Sequence, residues 1–369
     1  MWLVPALRFP EFTEEWESVL LEDVAEFQKK RISSDLLNNS NYISTENILQ
    51  NFGGVQNSIS IPANTNVIEY QKGDVLLSNI RPYLKKVWLS DRHGGCSADV
   101  FVLRGNQCER RFLYYVIASD RFINFVMSGA KGVKMPRGDK SQMEKFAFFI
   151  PTNVEQKKIA RFLSMLDERI RLQNKIIEDL RLLRDAISVC LLSPKSDWKC
   201  YKVSEIADIG RGRVISSKEI ANQNNPQYPV YSSQTSNEGI MGYLDNYAFD
   251  GEYITWTTDG ANAGTVFYRN GRFNCTNVCG TLKLHYQFDA YYCSLVLANA
   301  TKKYVSVNLA NPKLMNNTMA AIKLYLPPFQ EQKRMAQLFR KMDENITLEH
   351  KLLLSYQKQK HYLLQQMFI

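Results

Sequence analysis

Two Glu-Gln-Lys triplets, 155–157 and 331–333, are residues whose types and spacing could support chemistry. Each satisfies the Glu-x-Lys tail of a nuclease motif. Both triplets, however, come just after a proline and fall in the first turn of a predicted helix rather than on a strand. Acidic side chains at that place stabilise the helix dipole. The triplets therefore predict two helix starts and no nuclease site.

Other motifs of catalysis or metal binding are weaker still. Asn225-Pro226-Gln227-Tyr228 departs from the Asn-Pro-Pro-Tyr signature of amino-methyltransferases at Gln227, no Phe-x-Gly-x-Gly loop precedes it, and we predict a turn. The sequence holds no GxxxxGK[ST], GxSxG or HExxH pattern. Its seven cysteines form no CxxC pair, and no paired histidine ligands accompany Cys275 and Cys279. We therefore expect reduced thiols, no metal site, no catalytic residue and no bound cofactor.

Length and composition indicate a protein with two ordinary cores. The chain has 369 residues, of which 45% are hydrophobic, and no run of eighteen apolar residues occurs. The N-terminus also lacks the pattern of a signal peptide. We expect a cytoplasmic protein without membrane contact.

The net charge of +9 is spread thinly, but two local groups of cations stand out. One comprises Arg121, Lys131, Lys134, Arg137, Lys140 and Lys145, and the other Lys302, Lys303, Lys313 and Lys323. Such groups suit phosphate contact. For any single lysine, a merely solvated surface position is the alternative.

The sequence contains an internal repeat. Residues 151–175 align without a gap on residues 327–351 at an offset of 176, with ten of the twenty-five positions identical. Upstream of this alignment the similarity between the two copies is weaker. Trp16 corresponds to Trp198, Gly73 to Gly251, and Tyr114-Tyr115 to Tyr291-Tyr292, at offsets that drift from 182 to 177. Loops of different length between shared strands would cause this drift.

Each repeat predicts a globular part followed by a long helix. Alternating runs such as Val75–Leu77 and Val100–Leu103 predict strands, and 112–128 and 291–300 predict helices. The runs Phe146–Ile150 and Ile322–Leu326 close the globular parts. We predict an α+β fold with two similar domains, 1–150 and 193–326, joined by long helices over 151–192 and 327–369.

The two helices carry a coiled-coil seam, because their apolar residues alternate four and three apart without interior Gly or Pro. The polar seam positions are Gln173 and Arg184 in the first helix and Glu349 and Lys360 in the second. They suggest an antiparallel pair in which facing residue numbers sum to 533. Arg184 would then meet Glu349, and Gln173 would meet Lys360. An alternative is that each helix packs only on its own globular part.

This organisation resembles the specificity subunit of type I restriction–modification systems over essentially the whole chain. The most specific residues are Pro151, Glu155–Ala160 and Leu166–Glu168 in the first copy, Pro327–Gln332 and Met342–Glu344 in the second, and Lys358–Lys360 with Leu363–Phe368 at the end. The resemblance implies that each globular part is a target recognition domain for half of a split double-stranded DNA site. The paired helices would separate the domains, about a pseudo-twofold axis, and dock partner subunits.

The resemblance also implies that catalysis belongs to those partners. They would be two methyltransferase (M) subunits using S-adenosylmethionine, and restriction/translocase (R) subunits using ATP and Mg. The alternatives are a coiled-coil scaffold that binds only proteins, and an enzyme that cuts or methylates DNA by itself.

Loops that follow strands are the predicted DNA-contacting regions. Asn79, Arg81 and Asn262 could reach base edges, whereas Lys85, Lys86, Lys302 and Lys303 suit phosphates. The complete set of predicted contacts is Asn79, Arg81, Lys85, Lys86, Lys134, Arg137, Thr258, Asn262, Lys302, Lys303 and Asn308. For each of these residues a turn or surface role is the alternative.

Overall fold

The computed structural model describes residues 5–132, 134–306 and 311–368. Contacts between residues divide the chain into two compact units. Unit 1 comprises Met1–Lys175 and His350–Ile369, and unit 2 comprises Ile176–Glu349. Each unit thus contains one globular part and portions of both long helices. Within the described ranges, no helix is long and apolar enough to cross a membrane.

The globular part of unit 1 is an α+β structure of short elements. Its strands are β1 (Glu17–Leu20), β2 (Ala25–Phe27), β3 (Arg31–Ser33), β4 (Tyr42–Ile43), β5 (Asn66–Tyr70), β6 (Val75–Ser78), β7 (Val87–Leu89), β8 (Gly94–Cys96), β9 (Val100–Gly105) and β10 (Ala147–Ile150). Its helices are α1 (Leu21–Val24), α2 (Arg110–Ile117), α3 (Asp120–Ser128) and α4 (Lys140–Glu144), and the long helix α5 (Asn153–Leu191) follows. The strands form sheets in the orders β2-β9-β6-β7 and β3-β5-β8-β4, and β1 pairs antiparallel with β10.

Unit 2 repeats this plan. Its strands are β11 (Lys199–Lys202), β12 (Ala207–Arg211), β13 (Tyr228–Tyr231), β14 (Ile240–Leu244), β15 (Phe249–Asp250), β16 (Tyr253–Thr257), β17 (Val266–Arg269), β18 (Arg272–Cys275), β19 (Cys279–Leu284) and β20 (Lys323–Leu326). Its helices are α6 (Val203–Ile206), α7 (Ser217–Ala221), α8 (Ala290–Ala300) and α9 (Asn316–Ala321), and the long helix α10 (Phe329–Met367) follows. The sheets run β12-β19-β16-β17 and β14-β13-β18-β15, and β11 pairs with β20.

The matching sheet orders confirm the repeat. The order β2-β9-β6-β7 corresponds strand by strand to β12-β19-β16-β17. The parallel pair β4·β8 corresponds to β13·β18. Trp16 and Trp198, which the sequence had matched, are both buried in the main apolar core of their unit.

Two details of the predicted helices are corrected. The stretch 112–128 is two helices, because the Ser119 hydroxyl accepts from the Phe122 amide and caps a new helix. The tyrosine pairs are also not equivalent. The N-cap residues Glu109 and Asp289 match at an offset of 180, so that Phe112, not Tyr115, corresponds to Tyr292.

A buried glutamine joins the start of each long helix to the globular part. Gln156 Oε1 accepts from the Glu109 amide at 2.8 Å, and its amide nitrogen donates to the Pro151 carbonyl at 2.8 Å. Gln332 makes the same two bonds, with the Asp289 amide at 3.0 Å and the Pro327 carbonyl at 2.9 Å. The side chain of Gln therefore satisfies backbone groups that a helix start and an N-cap leave unpaired.

The long helices pack as the apolar seam predicts, but the predicted register is wrong. In unit 1, Ile159, Leu163 and Leu166 share a core with Leu363 and Met367. In unit 2, Ile187 and Leu191 pack beside Met335 and Phe339. The start of each helix thus lies against the end of the other, which makes the pair antiparallel.

Ion pairs define the actual register. Arg184 binds Asp343 rather than Glu349, and Lys360 binds Asp167 at 2.6 Å rather than Gln173. Facing residue numbers therefore sum to 527, six fewer than predicted. Each aspartate also accepts a tyrosine hydroxyl, from Tyr115 at 2.7 Å in unit 1 and from Tyr291 in unit 2. The tyrosine ties the helix pair to the globular part of its unit.

Candidate nucleic-acid interface

The first predicted DNA-contacting loop of unit 1 leaves the sheet at the end of β6. It turns through a 3₁₀ segment, Pro82–Leu84. Arg81 and Lys85, which flank this segment, have φ of 52° and 51° in the left-handed region. Such backbone angles are uncommon for residues other than glycine, so the surroundings must hold the loop in shape.

The second predicted loop supplies much of that support. The Arg81 amide donates to the Pro136 carbonyl at 2.8 Å, and the Gly138 amide donates to the Asn79 carbonyl at 3.1 Å. Lys131 and Arg137 pair through both backbone groups. The two loops that the sequence singled out separately are therefore one structure, which we call loop cluster 1 (residues 79–86, 131–132 and 134–138).

Within loop cluster 1, the predicted DNA-contacting side chains differ in burial and in the partners that they already have. Asn79 Oδ1 and Arg81 Nε are buried without a hydrogen-bond partner among the described residues. Lys85 pairs with Asp120, and Lys86 donates to the Thr45 carbonyl at 2.6 Å. Lys134 is exposed. The exposed lysine is the cation of this set that is best placed for phosphate.

Two further cations of loop cluster 1 are held by acids but stay accessible. Arg137 lies 3.1 Å from Asp99 with a side chain that is 54% exposed. Lys131 lies 2.8 Å from Asp139, and this hydrogen bond raises the pKa of Lys131 and lowers that of Asp139. The acids fix these cations in place without removing them from solvent.

In unit 2, the equivalent loops follow β16 and precede α9. The Gly260 amide donates to the Pro312 carbonyl at 3.0 Å, and the Leu314 amide donates to the Thr258 carbonyl at 2.9 Å. We call residues 257–264 and 311–313, with 306, loop cluster 2. The predicted residue Asn308 lies outside the described residues.

In loop cluster 2, one of the predicted DNA-contacting side chains, that of Thr258, is not accessible to DNA. Thr258 is fully buried, and its hydroxyl accepts from Arg211 at 3.0 Å, so that the exposed group at this point is Arg211. Asn262 donates to the Ser233 carbonyl at 3.0 Å. Lys302 and Lys303 are exposed on a 3₁₀ turn, which Thr301 ties to the Gly264 carbonyl at 2.8 Å.

Lys313, which the sequence analysis named in a cation group but not among the predicted DNA contacts, is also a residue of this site. Its backbone forms isolated β-bridges with Asp259 and Ser306, as the backbone of Arg137 does with Ile80 and Lys131. The pair Arg137 and Lys313 keeps the offset of 176 that relates the long helices. Extending the gapless alignment upstream by 14 residues would have paired Lys313 with Arg137 from the sequence.

A segment of unit 1 that the sequence analysis did not single out also borders loop cluster 1. The Asn51 and Phe52 amides donate to the carbonyls of Leu84 and Lys85, at 3.0 and 3.2 Å. Both residues have positive φ, of 53° and 62°. An Asn-Phe-Gly-Gly sequence indicates a turn. Only the folded structure shows that this turn is hydrogen-bonded to the loop after β6.

The glutamates of the two Glu-Gln-Lys triplets form ion pairs, and Cys275 and Cys279 are part of the apolar interior. Glu155 is fully buried and accepts two hydrogen bonds from Arg8, each of 2.7 Å. Glu331 lies 3.6 Å from Lys195. Cys275 and Cys279 are buried free thiols, and burial raises the pKa of Cys279 to about 11. In the part of the chain that the structure describes, no group of three His, Cys, Asp or Glu residues is suited to a metal ion.

Proteins named as type I specificity subunits are similar to this chain in sequence. A Mycoplasma pneumoniae protein named for the N-terminus of a type I specificity subunit is 46% identical over 140 residues, 37% of this chain and 74% of that protein. The specificity subunit of the type I restriction enzyme MpnII from the same organism is 41% identical over 143 residues. That alignment covers 38% of this chain and only 42% of the relative.

Solved structures share the fold across nearly the full length. The crystal structure of a type I restriction–modification S subunit from M. genitalium matches with a TM-score of 0.68 and 18% identity, covering 99% of both chains. A chain from a structure of assembly and conformational transition in the type I R-M system matches with a TM-score of 0.59 and 18% identity, covering 95% and 96%. At this identity the match concerns the fold alone.

The family match covers both repeats. The family described as "Type I restriction modification DNA specificity domain" matches residues 13–182 and again residues 195–355. Each match contains one globular part with one loop cluster. This chain therefore belongs to the type I restriction modification DNA specificity family, with two copies of its domain.

Proposed function

We propose that this chain selects the DNA sequence for a type I restriction–modification complex, and that each globular part reads one half of an asymmetric, bipartite double-stranded site. The observation that carries this proposal is the repeated loop cluster. In both units, backbone hydrogen bonds join a loop after an inner strand to a loop before a short helix. A cation, Arg137 or Lys313, occupies the same backbone β-bridge position in each unit.

The two loop clusters, with the neighbouring 3₁₀ turn that carries Lys302 and Lys303, offer two kinds of chemical group for binding DNA. Exposed cations such as Lys134, Lys302 and Lys303 neutralise phosphates and give sequence-independent affinity. Amide side chains such as that of Asn262 can distinguish base edges in the major groove. Because the clusters share a frame but differ in side chains, the two half-sites differ in sequence.

The long helices separate the domains and dock the partners. Both helices carry apolar side chains that are strongly exposed, among them Met165 at 58%, Leu182 at 62%, Leu348 at 59% and Leu354 at 55%. Exposed apolar surface of this kind is typical of protein interfaces. We assign it to two methyltransferase subunits that use S-adenosylmethionine, joined for cleavage by ATP- and Mg-dependent restriction subunits.

The test is to express the chain with its methyltransferase partner and to map modified adenine across a genome. We expect one motif with two defined halves and an unread spacer, and no cutting or methylation by the purified chain alone. A motif without a spacer, or modification without sequence preference, would contradict the proposal. The second outcome would favour a protein-binding scaffold.

A further inference from the structure

A third loop of unit 2 lies beside loop cluster 2. Residues 232–239 connect β13 to β14, and three consecutive residues of this loop have positive φ: Asn237 at 48°, Glu238 at 52° and Gly239 at 86°. Residues other than glycine adopt this region at a cost in free energy, so a run of three must be held by its surroundings. Residues 235–238 are exposed.

Arg269 is the side chain that holds this loop. It is only 6% exposed, and its Nη2 donates to the Glu238 carbonyl at 2.6 Å. Its guanidinium carbon lies 3.6 Å from the ring centre of Tyr231 and 4.4 Å from that of Phe267. A planar guanidinium can stack on rings while it donates hydrogen bonds in its plane, which a lysine cannot do.

The space around the loop is filled as well. The Ser232 amide donates to the Gly239 carbonyl at 2.8 Å and closes the loop. A Cβ atom on Gly239 would lie 3.1 Å from the Gln234 carbonyl and 3.4 Å from Nη2 of Arg269. The loop is therefore anchored at its base, while its tip, residues 235–238, is presented to solvent.

The loop base is joined to a predicted DNA-contacting residue. Asn262 of loop cluster 2 donates its side-chain amide to the Ser233 carbonyl at 3.0 Å. The tip also carries side chains that recognise bases: Asn can form two hydrogen bonds with adenine, and a carboxylate can accept from the exocyclic amine of cytosine. The carboxylate of Glu238 would be repelled by phosphates, which favours contact in a groove over contact with the backbone.

We propose that residues 235–238 form a third base-contacting segment of unit 2, and that Arg269 is the positioning residue that sets the shape of this segment. The inference rests on the proposed function and adds the tip residues and their buried support to it. The Arg269 guanidinium packs over the rings of Tyr231 and Phe267 and holds the Glu238 carbonyl, which sets the direction of the tip.

The first test changes the tip without straining its backbone. Glu238→Gln keeps the size of the side chain, and Asn237→Gly suits the left-handed backbone. In the complex with the methyltransferase partner, we expect base preference to fall about tenfold or more at one or more positions of one half-site. The other half-site and assembly of the complex stay unchanged. Asn270→Ala, an exposed change in the β17–β18 turn, is the matched control and leaves both half-sites intact.

The second test separates positioning from mere stability. Arg269→Lys keeps the charge but loses the flat stack, so we expect it to relax the same positions as Glu238→Gln while total DNA affinity and its salt dependence stay within about twofold. Equal loss of affinity for every sequence, with no change in preference, would assign Arg269 a structural role only.

The outcomes also distinguish this inference from the proposed function. If both tip variants keep the wild-type preferences in a complex that still modifies a bipartite motif, the tip is not a base-contacting segment and the proposed function stands. If the wild-type complex shows no sequence preference, the proposed function itself fails.

Discussion

At the scale of residues, the Glu-Gln-Lys triplets illustrate how a short motif can serve structure alone. Gln156 and Gln332 are 4% and 1% exposed, and each satisfies two backbone groups from different parts of its unit. A glutamate could accept from the N-cap amide but could not donate to the proline carbonyl at neutral pH. The identity of the middle residue of the triplet follows from this pair of bonds.

Replacing either glutamine tests this role. Gln156→Ala removes the partner of the partly buried Glu109 amide and of the buried Pro151 carbonyl, so we expect the free energy of unfolding to fall by about 1–3 kcal/mol for each group. Urea denaturation monitored by circular dichroism measures this change. Lys157→Ala, at the neighbouring exposed position, is the control and should stay within about 0.5 kcal/mol of the wild type. An equally small effect of Gln156→Ala would contradict the assignment.

Cations of the loop clusters are expected to act on affinity rather than on sequence preference. Lys134→Ala and Lys313→Ala should each weaken DNA binding for all sequences and reduce the slope of log affinity against log salt by about 1, the value for one phosphate contact. Binding titrations of the assembled complex at several salt concentrations measure the slope. Lys72→Ala, at the opposite end of β6 from loop cluster 1, provides the control. A change of preferred bases without a change of slope would show direct base contact instead.

At the scale of elements, the long helices predicted over 151–192 and 327–369 lie at Asn153–Leu191 and Phe329–Met367, so the sequence predicted their ends to within two residues. The apolar 4-3 spacing and the lack of interior Gly and Pro were sufficient, because these features are local. The register was not predictable in the same way. A seam repeats every seven residues, so shifted pairings bury similar surface, and the acids that decide among them, Asp167 and Asp343, stand beside the seam rather than in it.

The loops show the same limit. The strand-then-loop pattern predicted loops after two strands, and the structure has the predicted contacts Asn79–Lys86 after β6 and Thr258 and Asn262 after β16. The pattern could not show that Thr258 points inward, because a side chain's direction in a turn depends on partners distant in sequence, here Arg211. It also could not show that Arg81 depends on Pro136 for its backbone shape.

A double-mutant cycle tests the register. Lys360→Met and Asp167→Asn each remove one partner of a pair whose lysine is 9% exposed, and we expect a coupling energy of about 0.5–3 kcal/mol between the two changes. Thermal or urea unfolding of the four proteins gives this value. The exposed pair Glu168 and Arg171 on the same helix is the control and should couple by at most about 0.5 kcal/mol. Coupling between Lys360 and Gln173 in place of Asp167 would restore the predicted register.

At the scale of the whole molecule, the corrected register makes the proposed spacing role testable by design. In α5 the insertion point lies between Lys175 and Ile176, where unit 1 gives way to unit 2, and in α10 it lies between Lys351 and Leu352. These two points are also related by the repeat offset of 176. Both lie between the ion pairs Arg184–Asp343 and Lys360–Asp167, so that paired insertions leave each ion pair within its own unit.

We expect a seven-residue, helix-forming insertion at both points to lengthen the helix pair by about 10 Å and to enlarge the unread spacer by about three base pairs. Seven residues preserve the seam, and neither loop cluster changes, so both half-site sequences should persist in the map of modified adenine. The same insertion in α5 alone shifts one ion pair out of register and should reduce stability or assembly instead. An unchanged spacer in a fully assembled double-insertion complex would show that the helices do not set the distance between half-sites, even if each domain still selects its own half.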